Sequence, residues 1–183
     1  MIQTLKLSVL VGCFFALFKV VEAVTEHKFH TLKQANSQQG LNVITAKDRE
    51  RQLSCLAINI YREAANEPFE GKVGIAQVTL NRAKHPAFPK DICEVVYQKN
   101  TFMGQTVCQF SWYCNSQHRT RPVNQKMYDE SYEVAKKVLL ENFKLSSLDH
   151  AIYYHADYVN PRWNHVRLTK IGKHIFYKPK DNI

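Results

Sequence analysis

The sequence contains no C-x-x-C pair, so the usual zinc-ribbon and zinc-finger ligand spacings are excluded despite its cysteines. It also has no H-E-x-x-H or comparably tight motif, so the late histidines, His150, His155, His165 and His174, form no recognisable zinc-peptidase signature. No internal repeat recurs, which sets solenoid and propeller architectures aside. The 25 Lys and Arg against 16 Asp and Glu give a net charge of +9, but the basic residues are scattered rather than run together. No nucleic-acid-binding motif accompanies them. The surplus favours an anionic partner without naming one. Nor is there an apolar run of the roughly 20 residues that a spanning helix needs. The longest, Leu7–Phe18, is interrupted soon afterwards by Lys19 and Glu22.

That short run is informative in another way. Lys6 precedes it, and Val21-Glu22-Ala23 follows with small residues at the two positions a signal peptidase inspects. Residues 1–23 therefore read as a secretory signal peptide, touching the membrane only in transit, with cleavage before Val24; an uncleaved signal anchor is the alternative reading. Four cysteines lie beyond it: Cys55, Cys93, Cys108 and Cys114. An even number in an exported domain points to two disulfides, with three possible connectivities, the short Cys108/Cys114 loop among them.

Residues 24–44, with Gln34-Ala35-Asn36-Ser37-Gln38-Gln39-Gly40, are polar and read as a flexible linker. The folded domain is expected over 45–183, opening on the capping-box spacing of Thr45 and Asp48. Leu53, Leu56, Ala57, Ile60 and Ala64 then follow helical spacing, predicting a helix to about Asn66. A second, apolar nearly all round, is expected from Pro68 to Lys84, a short one after Asp91, and a third long one over 124–142. Residues 99–123 read as irregular. Ala151–Tyr154 and His174–Tyr177 are β-branched and aromatic and read as two short strands. The class is α+β, helix-dominated, with a small sheet near the C-terminus.

One feature of the first helix suggests chemistry. At 100° per residue with Leu56 at 0°, Glu63 falls at about −20° and Glu67 at about 20°, both at the edge of the apolar stripe. A carboxylate there must be paired, neutral or lining a cavity. A carboxyl kept protonated near neutral pH can protonate a glycosidic oxygen. A buried ion pair with Arg62 or Arg82, or a solvated helix end, fits the same spacing.

The segment Ile60-Tyr61-Arg62-Glu63-Ala64-Ala65-Asn66-Glu67-Pro68, continuing to Arg82, resembles the signature of the SleB/CwlJ family of cell-wall hydrolases. So do Cys93-Glu94-Val95-Val96-Tyr97, Cys108-Gln109-Phe110-Ser111-Trp112, Tyr154-His155-Ala156-Asp157 through Trp163, and Ile171-Gly172-Lys173-His174. The resemblance implies a lysozyme-like fold and a catalytic acid at Glu63, first in the stretch Glu63-Ala64-Ala65-Asn66-Glu67. Ala65 and Asn66 stand where the family has Arg and Gly, and Asn66 is expected to allow a left-handed turn. It further implies cleavage of peptidoglycan glycan strands between N-acetylmuramic acid and N-acetylglucosamine, by a lytic transglycosylase or a muramidase. Glu67, Gln109, Phe110, Ser111, Tyr154, His155 and Trp163 are the expected substrate-binding residues, with Trp112 a further aromatic of the same loop. No metal or other cofactor is expected. The protein is expected to be an exported monomer, in the periplasm or outside the cell, that serves wall remodelling or phage lysis. A zinc amidase and a non-catalytic basic wall-binding protein are the competing readings.

Overall fold

The computed structural model describes residues 19, 21–28 and 45–180. The chain divides into two compact units, 1–44 and 45–183. Most of the expected signal peptide and linker lies outside the described residues. Within the first unit, residues 21–28 are helical. Lys19 pairs with Glu22 at 3.5 Å, and the Thr25 hydroxyl donates back to the Val21 and Glu22 carbonyls. The first residues of the expected linker are thus helix, not loose coil. Among the described residues no helix is long and apolar enough to cross a membrane.

In the second unit α1 spans Ala46–Ala64. Thr45 caps it by accepting the Asp48 N–H at 3.0 Å. Leu56 and Ile60 are fully buried on its inner stripe, each contributing on the order of 1.5–3 kcal/mol. Helix α2, Phe69–Lys84, is buried along most of its length. Helix α3, Ile92–Val96, is capped by Asp91, which accepts the Glu94 N–H. Helix α6, Gln125–Leu139, follows the short α4, Ser111–Cys114, and α5, Ser116–Thr120. Helices α1, α2, α3 and α6 pack together around the main core.

Residues 99–123 are more ordered than expected. Lys99–Phe102 (β1) and Gln105–Cys108 (β2) pair as an antiparallel hairpin. Its two-residue turn, Met103 and Gly104, has φ of 49° and 76°, the positive values a tight hairpin turn requires. The C-terminal sheet has three strands where two are expected: β3 Tyr153–Ala156, β4 Val166–Ile171 and β5 His174–Lys178, ordered β3-β5-β4 and antiparallel. β4 is an edge strand that carries Arg167 and Lys170 at exposed positions and lacks a strict apolar alternation, which hides it in the composition. The sheet packs on α2 where Gly74 leaves room: a Cβ there would lie 2.6 Å from Phe176 Cζ.

Two disulfides, Cys55–Cys93 and Cys108–Cys114, tie α1 to α3 and the hairpin to α4. They span 38 and 6 residues of sequence, so loop-closure entropy assigns about 4 kcal/mol to the first and about 2 kcal/mol to the second. Thermal melts of the Cys55→Ala/Cys93→Ala and Cys108→Ala/Cys114→Ala pairs are expected to rank in that order.

Candidate active site

Glu63 lies in the last turn of α1, on the side turned to α2 and the sheet. The Tyr154 hydroxyl, reaching across from β3, donates to Glu63 Oε2 at 2.9 Å. Tyr154 is available because residues alternate along β3: Tyr154 pairs with the buried Phe176 and so shares the inner face of the sheet. No described residue bonds Glu63 Oε1, and that oxygen is not among the buried polar atoms left without a partner. Burial raises the Glu63 carboxyl above its ordinary range, against the opposing pull of the Tyr154 hydrogen bond and the Arg82 charge. The Tyr154 phenol is held well above its usual value, first by burial and then by Glu63. Both shifts favour the neutral form of each group.

Arg82 is the nearby cation. It comes from α2, is 4% exposed, and donates through Nε to the Ile152 carbonyl at 2.9 Å. Its guanidinium carbon sits 4.8 Å from the Phe110 ring centre and 5.9 Å from that of Tyr154. One terminal nitrogen is buried with no partner. Arg82 forms no ion pair with Glu63 among the described residues, and Arg62 turns away to the carbonyls of Arg119 and Arg121. Neither ion pair admitted by the helical spacing is present.

A polar seam that the sequence did not announce runs beneath this pair. Asn59, one turn before Glu63 and fully buried, accepts Trp112 Nε1–H at 2.9 Å and donates to Thr79 Oγ1 at 3.2 Å. Thr79 donates to the Ile75 carbonyl. Thus Asn59 and Glu63 on α1 face Thr79 and Arg82 on α2, as i, i+4 and i, i+3 spacing allows. A buried Asn beside a helical Glu was the available signal, but its Trp112 partner is 53 residues away.

Several expected site residues sit elsewhere. Glu67 is not on the helix with Glu63, because α1 stops at Ala64. It instead accepts the Lys173 N–H at 2.9 Å and braces the β4–β5 turn. Asn66 does not take a left-handed φ, so the turn closes without one. Phe110, 1% exposed, and Trp112, 5% exposed, are core side chains and have no face free for a sugar. Phe110 carries Arg82 on its ring instead. Gln109 is half-buried, its N–H bound to the Gln98 carbonyl, and Ser111 is exposed at the start of α4. His155 and Trp163 lie on the opposite face of the sheet from Tyr154: His155 pairs across from Ile175, and Trp163 packs edge-on to the His155 ring. Among the described residues no three His, Cys, Asp or Glu converge as a metal site.

Two predictions arise from these contacts. A carboxyl whose folded pKa is raised binds its proton more tightly in the native state, so its stabilising contribution is present at low pH and is lost as pH rises through the folded pKa. Glu63→Gln removes that dependence. Its melting temperature is expected to match wild type near about pH 4 and to exceed it increasingly toward about pH 8, as read by calorimetry across that range. At the brace, Gly172 has a φ of +56°, and a Cβ there would fall 1.8 Å from Glu67 Oε2. Gly172→Ala is expected to cost about 1–3 kcal/mol in denaturant melts, and less than that in a Glu67→Ala background, where the clash is gone.

Comparison with known proteins agrees with the geometry of the fold. The spore cortex-lytic enzyme of Bacillus subtilis is 30% identical over 129 residues, covering 66% of this chain and 35% of that protein. That of Bacillus cereus is 28% identical over 133 residues, covering 70% of this chain and 45% of its own length. The chain thus spans less than half of these relatives. The crystal structure of the catalytic domain of the Bacillus cereus SleB protein matches with a TM-score of 0.53 at 23% identity, covering 70% of this chain and 91% of that domain. The catalytic domain of the germination-specific lytic transglycosylase SleB from Bacillus anthracis gives 0.53 at 24% identity, covering 75% and 98%. At such identities the likeness is one of fold, a helix-dominated α+β domain with its small antiparallel sheet late in the chain. The cell wall hydrolase family pattern matches residues 66–177, beginning three residues after Glu63, and on that match the chain belongs to the cell wall hydrolases.

Proposed function

We propose that this protein is an exported peptidoglycan-lytic enzyme that cleaves the glycan strand between N-acetylmuramic acid and N-acetylglucosamine, with Glu63 as its acid. The observation that carries this is the half-buried Glu63 carboxyl, which accepts the Tyr154 hydroxyl at Oε2 while no described residue bonds Oε1. With Oε2 engaged, Oε1 is the oxygen that holds the transferable proton. Burial keeps it there at a pH where an exposed carboxyl has lost it.

In the scheme, Glu63 gives its proton to the bridging oxygen as the bond from the muramic acid C1 breaks. The resulting carboxylate is met by the charge of Arg82 and the Tyr154 hydroxyl, then takes the proton of the C6 hydroxyl as that oxygen closes on C1. The products are a 1,6-anhydromuramic end and a free N-acetylglucosamine hydroxyl. This single-acid route suits a site whose next carboxylate along the chain, Glu67, is engaged by a backbone N–H. A two-carboxylate enzyme needs its second group across the scissile bond. The two disulfides favour an oxidising compartment, which supports export through the leader at residues 1–23. Gln109 and Ser111 are proposed to serve the sugar's polar groups, and the enzyme to act as a monomer. The sequence suits wall remodelling and phage lysis alike.

The test is turnover of purified peptidoglycan followed by mass analysis of the products. Glu63→Gln is expected to lower the rate about 10²–10⁴-fold while the fold is retained. Wild-type activity is expected to fall as pH rises through the Glu63 pKa. Products one water lighter than their reducing counterparts support the transglycosylase, and reducing muramic ends would assign a muramidase instead. Activity that survives Glu63→Gln and is lost to a chelator would overturn the reading in favour of an amidase.

A further inference from the structure

Strand β3 presents two chemistries. Tyr154 turns inward to Glu63, while Tyr153 and His155 turn to the outer face beside Tyr177 of β5. The loop from β3 to β4 brings Trp163 and His165 onto that outer face. Trp163 lies 5.5–6.1 Å, centre to centre, from the rings of Tyr153, His155, His165 and Tyr177. Tyr153 and His165 stack at 4.1 Å with planes 5° apart. His155 is fixed at both nitrogens, Nδ1 to the Ala156 carbonyl at 2.8 Å and Nε2 to the Tyr177 hydroxyl at 2.9 Å. Because the carbonyl can only accept, Nδ1 is the donor of the first of these contacts.

This cluster is not core. Trp163 is 43% exposed. A rigid group of rings with an indole left open to water is the kind of exposed apolar surface that marks a binding site. Its polar atoms are not all used: the Tyr153 hydroxyl and the Trp163 N–H bond no described residue, and His165 Nδ1 is buried without a partner. Apolar ring faces fringed by unspent donors and acceptors fit a pyranose, which has C–H groups on its face and hydroxyl or acetamido groups at its rim. Since β3 is an edge strand of the sheet, a long polymer bent around that edge meets both faces.

We infer that the outer face of this sheet is a second glycan-contact surface, with Trp163 as its stacking platform, that holds the peptidoglycan strand away from the scissile bond. The inference rests on the proposed glycan substrate, not on the role of Glu63. Trp163 and the core residue Trp112 are the only tryptophans, so tryptophan fluorescence reports the platform directly.

In Glu63→Gln protein, titration with N-acetylglucosamine oligosaccharides and soluble peptidoglycan glycan fragments is expected to protect the exposed indole from acrylamide quenching. Trp163→Ala is expected to raise KM on intact sacculi roughly tenfold, with the loss falling on KM rather than kcat, and Trp163→Phe to recover most of it. The quenching arm leaves Trp163 in place, so misfolding of the alanine variant does not blunt the test. Unchanged quenching together with an unchanged KM would overturn the inference. So would a concentration-dependent dimer that disappears in Trp163→Ala, since the face would then be a contact between copies. Protection that persists while Glu63→Gln keeps full activity would leave the platform standing and remove the assigned acid.

Discussion

A carboxyl lodged between α1, α2 and a sheet is the constraint around which the domain is arranged. Left ionised and unpaired there it would cost several kcal/mol, so its surroundings must either neutralise it or supply a partner that does not cancel its acidity. A direct ion pair would do the second too well, because a bound guanidinium holds a carboxylate ionised. The arrangement around Glu63 takes a middle course. A neutral phenol donates to one oxygen, while Arg82, the cation whose charge acts on it, is tethered to the Ile152 carbonyl and spread over aromatic rings. Its charge is felt at Glu63 without a bond being made.

That balance depends on distant parts of the chain holding still. Tyr154 reaches Glu63 only because the sheet lies close on α2, and the approach is set by Gly74 against Phe176. The sheet is anchored again by Glu67, which grips the β4–β5 turn at Lys173, while Asp157 N–H holds the carbonyl of the same residue at 2.8 Å. The other wall is fixed through Asn59, whose bond to Trp112 locks the 109–112 segment to α1, with the Cys108–Cys114 bridge closing that segment on itself. A shift in any of these supports moves either the phenol or the guanidinium relative to the carboxyl. Fold and site are therefore constrained by the same few contacts.

What could be read from the sequence follows the range of the forces involved. Helix α1, its Thr45 cap, the Asp91 cap and the buried character of α2 are written in local spacing, and they appear where that spacing puts them. Glu63 is legible as a carboxyl at the edge of the apolar stripe of an amphipathic helix. Glu67 shares that edge only on a wheel that runs past Ala64, where the chain already turns toward Pro68. Hairpin β1–β2 is not legible because its turn carries Met103 where Asn or Asp usually gives the signal, nor is β4, whose exposed edge carries Arg167 and Lys170. Phe110 and Trp163 show the limit of residue type alone. Both are large aromatics, yet one is sealed beneath Arg82 and the other stands open, a difference decided by neighbours far away in sequence.

The period-two rule of a strand carries the site one step further. Tyr153, Tyr154 and His155 are adjacent in sequence, but alternation sends the middle one to the acid and its neighbours to the outer cluster. A one-residue slip of β3 against β5 would exchange the two sets, burying a histidine beside Glu63 and exposing the phenol it needs. The register is protected against that slip at several points. Phe176 fits only the inner side, the His155–Tyr177 and Tyr153–His165 contacts form only on the outer, and Ile152 N–H binds the Tyr177 carbonyl just before the strand begins. The His155–Tyr177 and Tyr153–His165 contacts thus have a consequence for the acid as well: by holding β3 in register, they keep Tyr154 pointed at Glu63.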